Sequence, residues 1–112
     1  MRYRVVLVPF PFDDLSGHKV RPAVCLSDPI GTHRHGVLAF STSTIPPVLE
    51  PSDILLTPGT PDGATTGLRV PSTLRLHRMV TVSAAIIRRQ LGMLTPSIQA
   101  QVQQRLRALF AF

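Results

Sequence analysis

Arg4-Val5-Val6-Leu7-Val8-Pro9-Phe10-Pro11-Phe12, and after a polar stretch Val20-Arg21-Pro22-Ala23-Val24-Cys25-Leu26-Ser27, are the two runs that set the fold class of this 112-residue chain. Val5, Val6 and Val8 are β-branched and favour a pleated strand over residues 3–8, which ends at the prolines because proline cannot donate to a ladder. Residues 13–19 are polar and hold Gly17, so they form a surface loop. A second strand follows over 21–27, with Pro22 near its start, where a missing N–H costs least. Working outward, residues 28–35 read as a loop and 36–42 as a third strand. Residues 44–67 are dense in Pro, Gly, Ser and Thr, with one short strand candidate at 53–56. Residues 74–82 alternate in β fashion, and 84–91 suit either a strand or a short helical piece. Thr95 stands as an N-cap with Pro96 in the first helical position. Ile98, Val102, Leu106, Leu109 and Phe110 then form one stripe on a helix of about four turns, opposite Gln and Arg. About five short strands and a terminal helix predict a mainly β fold, a small SH3-like barrel with a C-terminal α-helix, as one domain over 1–112.

Hydrophobic residues make up 44% of the chain and charged ones 16%, the balance of a globular protein. The run after Met1-Arg2-Tyr3-Arg4 is short, interrupted by Pro9 and Pro11, and lacks a small-residue cleavage site, so no secretory leader is expected. No apolar run is long enough to span a bilayer. A single cysteine, Cys25, has no partner for an internal disulfide, as expected in a reducing cytoplasm, and reads as a small buried hydrophobe. Charge is unevenly distributed: residues 1–62 carry five Lys/Arg and six Asp/Glu (net −1), whereas 63–112 carry seven Arg and no acid (net +7). Eleven of the twelve basic residues are Arg, whose planar fork pairs with phosphate at two points and stacks on bases. Such a field attracts polyanions, either nucleic acid or an acidic protein; solubilising an apolar domain is the plainer alternative.

The Val5–Phe12 run, the block Lys19-Val20-Arg21-Pro22-Ala23-Val24-Cys25-Leu26-Ser27 and the apolar strand Val37-Leu38-Ala39-Phe40-Ser41-Thr42-Ser43 together resemble the opening of PemK/MazF toxins of type II toxin–antitoxin systems. Residues 67–76 and Leu91-Gly92-Met93-Leu94 are similar to that family's last strands. The resemblance runs from about residue 5 to 110 and lies in the order and spacing of the blocks, since each alone is weak. It implies a barrel dimer, MazF/CcdB-like in fold, that cleaves single-stranded RNA in the cytoplasm without cofactor or metal and is restrained by an acidic antitoxin. By position the resemblance puts Arg21 and Thr42 at the centre of the site and Arg75 and His77 as a second pair on a late strand. His18, Lys19, Ser41, Ser43 and Arg69 are then expected along the RNA path.

The chemistry gives Arg21 and Thr42 a reason of their own. RNA can be cut by its own 2′-hydroxyl attacking the adjacent phosphorus, leaving a cyclic phosphate and a free 5′-hydroxyl. The protein must align the groups, move protons and stabilise added negative charge. A guanidinium suits that charge because it stays protonated and binds two phosphate oxygens. A threonine hydroxyl can donate to the phosphate or hold the 2′-hydroxyl. Arg75 and His77, two apart on a strand, share a face. His77 stands where relatives commonly have a carboxylate, and Ser16 where some have a loop glutamate, so His77, His18 and Asp14 are all candidates for general base. His33 and His35 form an H-x-H pair, but two ligands fall short of a metal site. Two other functions fit a barrel of this size: a catalytically silent toxin that binds a protein, as gyrase-poisoning CcdB toxins do, and an SH3-like peptide-binding module. The second needs an aromatic groove, and this chain offers Tyr3, five Phe and no Trp.

Overall fold

The computed structural model describes residues 1–9 and 19–111. Asp14, Ser16, His18 and the Phe10–Phe12 turn lie outside the described residues. Among the described residues six strands form one antiparallel sheet: β1 (Arg4–Pro9), β2 (Val20–Cys25), β3 (His35–Thr42), β4 (Asp53–Leu56), β5 (Ser72–Ser83) and β6 (Arg89–Met93). Their order across the sheet is β4-β5-β3-β2-β1-β6, so β4 and β6 are the edges of a half-barrel. The mainly β architecture with a terminal helix is the one expected from sequence.

Two irregularities curl the sheet. The β3–β5 register shifts between Ala39 and Ser41, and the β1–β6 register shifts between Val5 and Val6. A bulge of this kind bends its strand and raises the local twist. β5 thereby pairs with β4 and the end of β3 through its first residues, and with the start of β3 through its last.

Both faces of the central strands are covered. Val5, Val24, Ala39, Leu74 and Leu76 pack on one side with Ile98 and Val102 of the terminal helix α2 (Pro96–Phe110). Val6, Val8, Ala23, Cys25, Leu38 and Phe40 pack on the other, against Met1, Val80, Val82 and Ile87. This explains why residues 5–8 and 23–26 read as continuous apolar runs: alternate residues enter different cores. Each fully buried Leu or Val contributes roughly 1.5–3 kcal/mol of transfer free energy, so the sheet is held from both sides.

Thr95 caps α2, its Oγ1 accepting from the Ile98 N–H at 3.3 Å and donating to Asp62 Oδ1 at 2.7 Å. Asp62 belongs to α1 (Pro61–Ala64), a one-turn helix in the turn-rich segment, itself capped by Thr60. The same Thr-Pro signature opens both helices, but the first is too short to show a stripe. Residues 84–91 divide into a single 3₁₀ turn, Ala84–Ile86, and the start of β6. The α2 stripe is buried only through its first half: Leu109 and Phe110 are 40% and 53% exposed.

Cys25 is fully buried, and burial pushes its thiol up to about 11 from 9.0, because the thiolate loses its hydration there. The folded state therefore holds this proton more tightly than the unfolded chain. Its contribution to stability is complete below about pH 9 and is lost as pH rises towards 11. Cys25 in the native protein is expected to resist iodoacetamide at pH 8, with labelling appearing in step with denaturant unfolding; fast native-state labelling would contradict its burial.

Candidate functional site

Where β2, β3 and β6 end beside the connection that enters β5, the curl leaves a cleft of about 490 Å³. Arg21, Ser41, Ser43, Arg69, Ser72 and Arg89 supply its polar wall, and Leu7, Leu68 and Leu91 its apolar floor. Its described lining includes three arginines, three serines and no carboxylate. Guanidiniums gathered in a partly enclosed space focus positive potential there.

Local sequence places each group. Leu7 of β1 pairs with Pro22 on one side and Arg89 on the other, so β1 forms the floor between Arg21 and Arg89. Arg69 lies on the connection between α1 and β5, which is tied to the edge of β6: Met93 N–H donates to Thr65 O at 2.9 Å, and Thr65 Oγ1 donates to Met93 O at 2.7 Å. Gly67 makes this close approach possible. Its φ is +74°, and a Cβ there would stand 2.1 Å from the carbonyl oxygen of Leu91.

At the end of β3 the pleat separates neighbouring hydroxyls. Ser41 lines the cleft and is 3% exposed, and its Oγ makes no hydrogen bond. Ser43 lines the cleft in an exposed position. Thr42, between them, is half-buried and does not line the cleft; its Oγ1 accepts from the Thr44 N–H at 3.1 Å. Lys19 is exposed and also lies off the cleft. His18 lies outside the described residues.

Arg75 and His77 do share a face of β5, as their spacing requires, but they line a different hollow. Glu50, Ser52 and the α2 residues Arg105 and Leu109 are its other walls. Arg75 is opposite Asp53 in the β4–β5 register, and its Nε and Nη2 donate to the carboxylate at 3.1 and 3.4 Å. The Asp53 side chain is wholly buried and also accepts the Glu50 N–H at 2.8 Å. His77 Nδ1 is 2.8 Å from Ser52 Oγ and 3.9 Å from Asp53 Oδ1. Because Leu74 and Leu76 must point into the core, Arg75 and His77 project towards β4 and α2, where Arg75 fastens an edge strand. Sequence reading passed over Asp53, whose signal was an acid opposite an Arg across two strands. It also passed over Arg89, hidden by the strand-or-helix ambiguity of 84–91. The rings of His33 and His35 are 5.9 Å apart, and no group of three or more His, Cys, Asp or Glu converges among the described residues.

A family model for PemK-like, MazF-like toxins of type II toxin–antitoxin systems matches residues 1–110. The chain belongs to this family. Solved structures of PemK/MazF-type proteins share its fold at low identity. The Mycobacterium tuberculosis toxin MazF-mt6 superposes with a TM-score of 0.73 at 18% identity, over 97% of each chain. A MazE–MazF structure from Deinococcus radiodurans gives 0.71 at 19% identity, over 99% of this chain and 95% of the other. An endoribonuclease from a mycobacterial species, in complex with its cognate antitoxin, gives 0.69 at 17% identity, over 100% and 95%. Among curated proteins, none matches the chain.

In this PemK/MazF-type cleft the position of Arg69 depends on Gly67. Gly67→Ala would combine a left-handed backbone with a clash against Leu91, and is expected to lower stability by more than about 1 kcal/mol. Denaturant melts of both proteins check this; an unchanged midpoint would mean the connection does not hold its place.

Proposed function

We propose that the chain is an endoribonuclease toxin that cuts single-stranded RNA in the Arg21 cleft. The 2′-hydroxyl attacks the neighbouring phosphorus in line, the 5′-oxygen leaves, and the products are a cyclic phosphate and a 5′-hydroxyl. No metal is required, because Arg21 can neutralise the added charge on the phosphoryl oxygens through two parallel hydrogen bonds. The observation that carries this reading is the cleft lined by Arg21, Arg69 and Arg89, with no carboxylate among its described residues, in a chain of a toxin family. A module that only gripped an apolar peptide would have little use for three guanidiniums along one cleft.

Ser41 and Ser43 supply hydroxyls on the cleft wall, with Thr42 between them. Arg75 and His77 belong to the second hollow, and we assign them to holding β4. That leaves His18 and Asp14, in the segment leading into β2, as candidates for the base that takes the 2′-hydroxyl proton. RNA lies along the cleft, its backbone on Arg69 and Arg89 and its bases against the apolar floor. The antitoxin is an acidic segment competing for the same charge; one structure that shares the fold holds an endoribonuclease with its cognate antitoxin. A second copy of the chain packs through α2, where Leu109 and Phe110 are exposed.

Arg21→Ala is expected to lower cleavage of a defined single-stranded RNA by about 10²–10³-fold, and Arg21→Lys to recover little of it, since an ammonium cannot pair in two places. Circular dichroism on the same samples establishes that the fold is kept. Undiminished cutting by a folded Arg21→Ala protein would reject the assignment.

A further inference from the structure

The pairing of β1 with β6 brings together arginines from opposite ends of the chain. Arg88 directly precedes β6, its backbone N–H donating to Leu7 O at 2.9 Å, and Arg89 opens the strand and lines the cleft. Arg4 stands opposite Met93 in the β1–β6 register, but its guanidinium turns back along the strand, Nη1 donating to Gln90 Oε1 at 2.9 Å. Arg4, Arg88 and Arg89 thereby gather around the first residues of β6, and all are exposed. Among the described residues none of them pairs with a carboxylate. Arg2 differs, since its Nη2 lies 3.9 Å from Asp28. β6 is an edge strand, and its far end is closed by Thr65, which bonds both the N–H and the carbonyl of Met93. The arginines stand at the other end, beside the cleft.

Like charges gathered without an acid repel one another, which works against the folded chain. The Gln90 amide oxygen orients Arg4 but does not neutralise it. A polyanion laid across these residues reverses the sign of the interaction and releases its own counterions. We propose that Arg88 and Arg4 continue the RNA path outside the cleft: the strand passes Arg89 and lays its next phosphates on the β1–β6 edge, so the protein grips backbone beyond the bond it cuts. These contacts are to phosphates. They set affinity and the length of RNA that binds well, and carry no base preference. The inference rests on the nuclease reading for the identity of the polyanion, but not for the existence of the edge site. Arginines on an edge strand can also serve only to repel the edges of other sheets, and salt separates the two roles.

The test compares wild type, Arg88→Gln, Arg4→Gln and, as a control, Arg107→Gln, which removes the same charge from α2. Binding of single-stranded RNA made uncleavable by 2′-O-methyl substitution is measured across a range of salt, with one oligonucleotide that fills only the cleft and one several nucleotides longer. Cutting of the unmodified long RNA by wild type is followed alongside. On the longer oligonucleotide Arg88→Gln and Arg4→Gln are each expected to reduce the slope of log affinity against log salt by about 0.7 and to weaken binding about fivefold at low salt. On the short one both should match wild type, and Arg107→Gln should match it on both. Arg88 has no side-chain partner among the described residues, so Arg88→Gln carries the test if Arg4→Gln disturbs β1. An unchanged slope in Arg88→Gln, an equal loss on the short oligonucleotide, or an equal loss in Arg107→Gln would overturn the proposal. If wild type binds the long RNA without cutting it and Arg88→Gln still loses slope, the edge site stands and the nuclease reading falls. If wild type cuts and Arg88→Gln keeps its slope, the edge site falls and the nuclease reading stands. Wild type that binds an acidic peptide but no RNA would overturn both.

Discussion

A sheet buried on both faces has little surface left for polar chemistry, and here that constraint places the site. β1, β2 and β3 send alternate residues into two separate apolar clusters, so a charged side chain along their middles would have to leave water without a partner. Polar groups can enter only where the strands end. Arg21 at the start of β2, Ser41 near the end of β3 and Arg89 at the start of β6 all satisfy this, and the curl of the sheet draws those ends around one cleft. The bulge between Ala39 and Ser41 serves both needs: it bends β3 and marks the change from core residues to cleft residues.

The placement of acids matters as much as that of the arginines. Asp53 is fixed to Arg75, Asp28 holds the amino terminus, and Asp62 receives Thr95 at the α2 cap. Each is occupied within the fold and none of the three lines the cleft of Arg21, Arg69 and Arg89. Arg75 shows the reverse case: an arginine on the expected strand whose charge is already used by a buried carboxylate.

Much of the architecture was legible because it rests on local rules. The prolines bounding β1, the Thr95–Pro96 start of α2 and the apolar runs of β1 to β3 each state their element directly. The α2 stripe was readable to Val102, beyond which only Leu106 meets the core; nothing in the periodicity tells where a partner surface stops. The site was legible in part. Arg21, Ser41, Ser43 and Arg69 line the cleft, whereas Thr42, which does not line it, falls opposite Arg21 when the Ala23–Phe40 register is continued to the strand ends. Arg75 and His77 share a face as their spacing requires, but which hollow that face meets depends on β4 and α2, long-range packing that no short motif carries. Arg89 could not be chosen until 84–91 resolved into a 3₁₀ turn and a strand.

The central claim is that guanidiniums alone, with no metal, handle the charge at a scissile phosphate. The most direct measurement incubates the protein with a defined single-stranded RNA in excess EDTA and identifies the chemistry of both new ends. A 2′,3′-cyclic phosphate facing a 5′-hydroxyl, formed at an undiminished rate, is the expected result. Cutting abolished by the chelator, or a 5′-phosphate facing a 3′-hydroxyl, would contradict it.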